Sequence, residues 1–229
     1  MKDIDVYRNA LEVIEKCRDR ATASGRTPDA VTIIAAAKTF PVEHVLPALE
    51  AGIRDIGENR VQEAEAKWSD HYIRNAIRLH MIGTLQKNKV KKAINLFDII
   101  HSCSSVELGL RISNYLQDKL FPILLEVNLA NEPSKTGFPV SELVPAVEQL
   151  GQVPNLNLLG LMAIPPYSPD PEQSRPYFAQ LKQLSDDLCS RYDFFGPELS
   201  MGMSEDYLVA IEEGATMVRI GRAIFGPRS

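Results

Sequence analysis

The chain has 229 residues, enough for one large α/β domain or two small ones with a sizeable core. Its charged fraction of 24% is ordinary for a globular protein, and its formal net charge of −5 argues against a general nucleic-acid binder, which carries a basic surface. Three widely spaced cysteines, Cys17, Cys103 and Cys189, form no CxxC; they suggest neither a zinc site nor a disulfide framework and fit a reducing, cytoplasmic compartment.

The opening M-K-D-I-D-V-Y-R lacks the apolar core of a signal peptide, and no apolar run approaches the roughly 18 residues that a membrane span needs. Ile4, Tyr7, Leu11 and Ile14 recur at spacings of three and four, which predicts an amphipathic helix over about residues 3–22. Strands are then predicted at 31–38 (V-T-I-I-A-A-A-K), 54–59, 78–83, 97–102, 121–128, 156–164, 198–202 and 216–221. Helical patterns separate them, starting near Pro41, Val61, Ser141 and Ser204, with a long one over 172–192. Ser104 with Glu107 reads as a capping box for a helix near 105–117, and Lys87, Lys89, Lys91 and Lys92 as a solvated helix face. The Pro-rich segment 163–172 reads as a long βα loop.

Strict alternation implies a parallel sheet, and eight units imply closure into a TIM (β/α)8 barrel. The alternative, an open doubly wound sheet, lacks its GxGxxG fingerprint. In such a barrel, chemistry sits at the C-terminal strand ends. Those ends carry Lys38, Glu58-Asn59, His80-Met81, His101-Ser102, Glu126, Ser200 and Arg219 with Gly221. A lysine closing an otherwise apolar strand is either the first solvated residue beyond the core or a nucleophile at the rim of a site.

The last two strand ends carry a phosphate signal. S-M-G-M-S (200–204) and R-I-G-R-A-I-F-G (219–226) put glycines where backbone amides can approach an anion. Glu205 and Asp206 would repel a dianion from the helix after Ser204, so the phosphate is expected on the amides near Gly221–Ala223, with Ser200 as a hydroxyl donor. A phosphate site opposite a strand-end lysine suggests a phosphorylated aldehyde, and pyridoxal 5′-phosphate (PLP) carries both groups on one ring. Arg219 is the candidate partner of its pyridine nitrogen. A permanently protonated arginine there weakens the ring as an electron sink. Glu58 is expected to support Arg219 or a loop amide. S-K-T-G (134–137) resembles a phosphate loop only superficially.

The segments A-A-K-T (36–39), D-I-G-E-N-R-V-Q-E (55–63), H-M-I-G-T-L-Q-K-N-K (80–89), N-E-P-S-K-T-G (131–137), G-L-M-A-I-P (160–165), L-S-M-G-M-S-E-D (199–206) and V-R-I-G-R-A-I-F-G (218–226) cover nearly the whole chain in order. In them the sequence resembles the YggS/PROSC family of PLP-binding, or PLP homeostasis, proteins. The resemblance implies one barrel over residues 1–229 of the alanine-racemase N-terminal type (PLP fold type III), without the C-terminal β-domain that supplies a catalytic tyrosine. It implies PLP held as a Schiff base on Lys38. Family ligands carry over to Asn59, Ser200, Arg219 and Gly221, and further to His80, Met81 and Met203. Arg222 stands where the family often has threonine, and either adds charge near the phosphate or points to solvent.

Three functions follow as expectations. The first is a cytoplasmic carrier acting in PLP (vitamin B6) homeostasis and amino/keto-acid balance, a monomer or weak dimer that hands PLP to apo-enzymes, with no nucleic-acid or membrane partner. The second is a weakly active racemase-like PLP enzyme. The third is a cofactor-free Schiff-base aldolase.

Overall fold

A computed structural model describes residues 4–117, 119–133 and 135–227. Eight parallel strands close in sequence order into one barrel. They are β1 (Thr32–Ala36), β2 (Asp55–Glu58), β3 (Arg78–Met81), β4 (Ile99–Cys103), β5 (Phe121–Glu126), β6 (Leu156–Met162), β7 (Glu198–Ser200) and β8 (Met217–Ile220). Each lies inside a predicted strand or within a residue of one. Between them run α2 (Val42–Glu50), α3 (Val61–Trp68), α4 (Val90–Leu96), α5 (Val106–Ser113), α6 (Val140–Gly151), α7 (Arg175–Arg191) and α8 (Tyr207–Glu212), and a last turn, α9 (Arg222–Phe225), follows β8. The first helix, α1 (Val6–Ala23), packs on α2, α8 and α9, beside the seam where β1 meets β8. No described helix is long and apolar enough to cross a membrane.

The main core lies between the strands and the helices, because strand residues alternate outward and inward. The barrel interior is divided. Ile99, Leu124 and Met162 form a separate apolar cluster there. Asp55, His80, His101, Ser200 and Arg219, all buried, bond to one another across the remaining space.

Two local expectations are corrected. Helix α1 buries Val6, Ala10, Val13, Cys17 and Ala21, while Ile4, Tyr7 and Leu11 are exposed. Its buried stripe is the one of small side chains, which lets the helix approach three neighbours closely. The cap of α5 is Ser105, not Ser104: Ser105 Oγ accepts from the Leu108 amide at 3.2 Å. Of the S-K-T-G stretch, Ser134 lies outside the described residues. Thr136 donates to Glu126 Oε1 at 2.8 Å, a loop contact at the end of β5.

Candidate functional site

The first strand ends in a tight turn. The Phe40 amide donates to the Ala37 carbonyl at 2.9 Å, and Lys38 takes a φ of 37°, in the left-handed region that side chains with a Cβ avoid. Such a residue costs on the order of 1–3 kcal/mol and persists only where its surroundings over-determine it. Lys67 of α3 supplies that constraint. Its Nζ donates to the Lys38 carbonyl at 2.7 Å and to Glu58 Oε1 at 2.7 Å. Trp68 Nε1, fully buried, donates to the same Glu58 oxygen at 2.8 Å. Burial pushes the Glu58 carboxyl up, and Lys67 and Trp68 pull it back. Glu58 therefore serves Lys67 and Trp68, rather than Arg219 or a loop amide as expected.

Lys38, Ala36 and Phe40 share a cavity of about 410 Å³ with Arg219, Gly221 and Arg222 from the end of β8, and with Met203, Ser204 and Tyr167. A volume of this order suits a small organic ligand. Gly221 leaves its wall open: a Cβ there would meet only Ala36 atoms, at 3.5 and 3.6 Å. It also starts α9 with no side-chain cap. Of the amides expected to receive a phosphate, that of Ala223 already donates to Ser204 Oγ at 3.2 Å, which leaves those of Gly221 and Arg222. Arg222 pairs with Glu205 Oε1 at 2.6 Å at the cavity's edge, so its charge is partly compensated.

Arg219 is buried and rigidly held. Nη1 donates to the Ser200 carbonyl and hydroxyl, both at 2.6 Å, and Nη2 to the Ala163 carbonyl at 3.0 Å. Burial lowers its pKa to about 10, with Asp206 and Glu126 opposing, so it stays charged at neutral pH.

The structure thus brings Lys38, Met203, Arg219, Gly221 and Arg222 together and separates the other predicted ligands. Asn59 and Met81 line a neighbouring notch of about 510 Å³ between the ends of β2 and β3. Asn59 Oδ1 is buried there without a partner among the described residues. Two expectations are corrected. Ser200 points into the barrel, with its hydroxyl between Arg219 and His101, so the hydroxyl on the cavity wall is Ser204's. His80 has both ring nitrogens engaged below the rim, by Asp55 and His101. Cys103 is a buried thiol pushed up to about 12 by burial, a core residue in character.

Lys67, Ser204 and Tyr167 were not singled out from sequence. Ser204 closes the S-M-G-M-S motif, and that signal was available. Lys67 and Tyr167 acquire their roles only through where a helix and a Pro-rich loop place them.

Residues 15–229 match the family described as alanine racemase, N-terminal domain. The chain belongs to that family, among its pyridoxal phosphate homeostasis members. It is 41% identical to the pyridoxal phosphate homeostasis protein of Aquifex aeolicus over 224 residues, 95% of each chain. A solved structure of an unknown protein from Bifidobacterium adolescentis matches with a TM-score of 0.89 at 33% identity, covering 96% of this chain and 94% of that one. PipY of Synechococcus elongatus, solved with PLP bound, matches with a TM-score of 0.80 at 34% identity, covering 92% of this chain and 100% of that one.

Proposed function

We propose that this chain binds PLP as a Schiff base on Lys38 and acts in cytoplasmic PLP homeostasis and amino/keto-acid balance, handing the cofactor to apo-enzymes. The observation that carries this reading is the single cavity that joins Lys38, the uncapped turn at Gly221 and the charged Arg219. The residues fit the group. Lys38 is the amine for its aldehyde, and the amides of Gly221 and Arg222 face its phosphate, with the Ser204 hydroxyl beside them. Arg219 has Nε–H and one Nη2–H with no partner among the described residues, donors suited to an unprotonated ring nitrogen. Asn59 Oδ1, buried and unpartnered in the adjoining notch, marks its amide as the group that borders the ring's edge, with Met81.

PLP supplies an electrophilic aldehyde and a conjugated ring that stabilises carbanions. An arginine donor at the ring nitrogen keeps the second property weak. That favours holding the cofactor over turning substrate over. Burial restrains Arg219, and Lys67 fixes the backbone of Lys38.

The test is an absorption spectrum of the purified protein followed by borohydride reduction. A yellow protein with the reduced label on Lys38 is expected. A Lys38→Ala variant that takes up PLP as tightly, with the same visible band, overturns the assignment, and a wild type that takes up none overturns the function. A second reading, weak racemase-like activity, draws on Tyr167, a phenol on the wall of the same cavity. Robust α-deuterium exchange into any amino acid, lost in Tyr167→Phe, would favour it over a pure carrier.

A further inference from the structure

The polar groups inside the barrel form one continuous line from its foot to its rim. Arg78 Nε donates to Asp55 Oδ1 at 2.7 Å, where β2 and β3 begin. The same oxygen lies 2.8 Å from His80 Nε2. His80 Nδ1 lies 2.9 Å from His101 Nε2, and His101 Nδ1 lies 2.8 Å from Ser200 Oγ. Arg219 Nη1 donates to that hydroxyl at 2.6 Å. The line runs through β2, β3, β4, β7 and β8, and its members are all buried except Arg78.

Donor and acceptor chemistry fixes its direction. Asp55 is held below the usual carboxylate range: burial raises it, but hydrogen bonds from His80 and Arg78 prevail. A carboxylate accepts only, so His80 carries its proton on Nε2. If His80 is neutral, its Nδ1 accepts from His101 Nε2–H. His101 Nδ1 then accepts the Ser200 hydroxyl proton, and Ser200 Oγ accepts from Arg219. Every donor and acceptor is satisfied. A doubly protonated His80 reverses the upper links and leaves the buried Ser200 hydroxyl proton without an acceptor, which is costly. Burial, with the charge of the nearby Arg219, also holds His101 well below its ordinary pKa, in the neutral form this direction needs. The other charged groups near the line are Glu126 and Asp206, both beside Arg219.

We propose that Asp55, His80, His101 and Ser200 form a one-directional hydrogen-bonded relay that orients Arg219 toward the bound cofactor, so that the four are positioning residues for its ring. Both Nη1 hydrogens of Arg219 go to Ser200 and one Nη2 hydrogen to the Ala163 carbonyl, which leaves Nε–H and the other Nη2–H for the cavity. The relay also ties the cofactor site to a carboxylate at the opposite face of the barrel, through residues that touch neither the cavity nor each other in sequence. The final link rests on the reading that Arg219 faces bound PLP; the tautomers below it do not.

The experiment is side-chain ¹⁵N NMR of the full-length protein, with the four histidines assigned by single His→Gln variants. Without PLP at neutral pH, His80 and His101 should both be neutral and protonated on Nε2. Asp55→Leu removes the acceptor and leaves the donor Arg78 at the foot. It should reverse the tautomer of His80 and also of His101, which Asp55 does not touch. A role in packing alone would lower stability without moving the proton on His101. Loading PLP should shift the His101 and His80 nitrogens, and Ser200→Ala should reduce that shift to less than half.

An imidazolium at either position, a wild-type His101 protonated on Nδ1, an Asp55→Leu protein with His101 unreversed, or an unchanged PLP response in Ser200→Ala would each overturn the relay. If Asp55→Leu does not fold, the wild-type tautomers and Ser200→Ala still decide it. A wild type that takes up no PLP refutes the proposed function, while the tautomers still judge the relay.

Discussion

Asp55 at the foot of the barrel and Glu126 at its rim are both buried carboxyls, and burial drives both toward the neutral form. They end on opposite sides of the ordinary range. Asp55 receives Arg78 and His80 on one oxygen, and these outweigh burial. Among the described residues Glu126 receives only Thr136 and its Oε2 has no partner, and burial prevails over Thr136 and the charge of Arg219. The foot is therefore committed structure, whereas the rim keeps polar groups in reserve. Incompletely satisfied, perturbed groups around a cavity are the physical mark of a ligand site.

The strongest way to break this contrast is to remove a committed group from beneath the rim. Lys67 is nearly buried and bridges Glu58 to the Lys38 carbonyl. Breaking one side of a buried pair costs about 3 kcal/mol or more. Lys67→Met should show that loss in a urea titration, and it should also lower PLP occupancy, because the left-handed turn at Lys38 loses its restraint. Full stability with full occupancy would show that Lys38 is held by other contacts.

The two carboxyls themselves sharpen the comparison through pH. A lowered folded pKa makes Asp55 stabilising above its unfolded value, and that contribution is lost as pH falls through the folded pKa. A raised folded pKa makes Glu126 stabilising below its unfolded value, and that contribution is lost as pH rises through the folded pKa. Urea midpoints of the cofactor-free protein between about pH 4 and about pH 8 should therefore separate the variants, since the unfolded carboxyls titrate near 4. Relative to wild type, Asp55→Asn should lose stability as pH rises, and Glu126→Gln should gain it. Parallel profiles would mean that foot and rim do not differ in this way.

The barrel was legible because each strand is a short apolar run between polar segments, and eight alternations close only one way. Lys38, Arg219 and Gly221 were legible because their chemistry is unusual at a strand end. His80 and Ser200 were placed on the right strands, but whether such an inward-facing residue reaches the cavity or the interior below it turns on one layer of the barrel, two residues along the strand. Helix α1 offered two apolar stripes, Ile4-Tyr7-Leu11-Ile14 and Val6-Ala10-Val13-Cys17-Ala21. Periodicity does not choose between them; the closeness of α2, α8 and α9 selects the smaller side chains. Lys67 was invisible because its role lies in what its Nζ reaches 29 residues back along the chain.

The mildest test compares two helix starts on the rim. At α5 the Ser105 hydroxyl occupies an amide that would otherwise lack a partner, whereas α9 begins at Gly221, which caps nothing, and Ser204 takes only its Ala223 amide. Ser105→Ala should cost about 1 kcal/mol, the usual loss for a missing N-cap. Ser104→Ala, one residue earlier, should stay within about 0.5 kcal/mol, as changes away from a cap usually do. Neither should change PLP uptake, since the start of α5 lies off the cavity and its Leu108 amide is already engaged. If Ser104→Ala is the costlier of the two, the cap is misplaced by one residue. If Ser105→Ala lowers PLP uptake without lowering stability, the start of α5 belongs to the ligand site, and the division of the rim into engaged and reserved amides has to be redrawn.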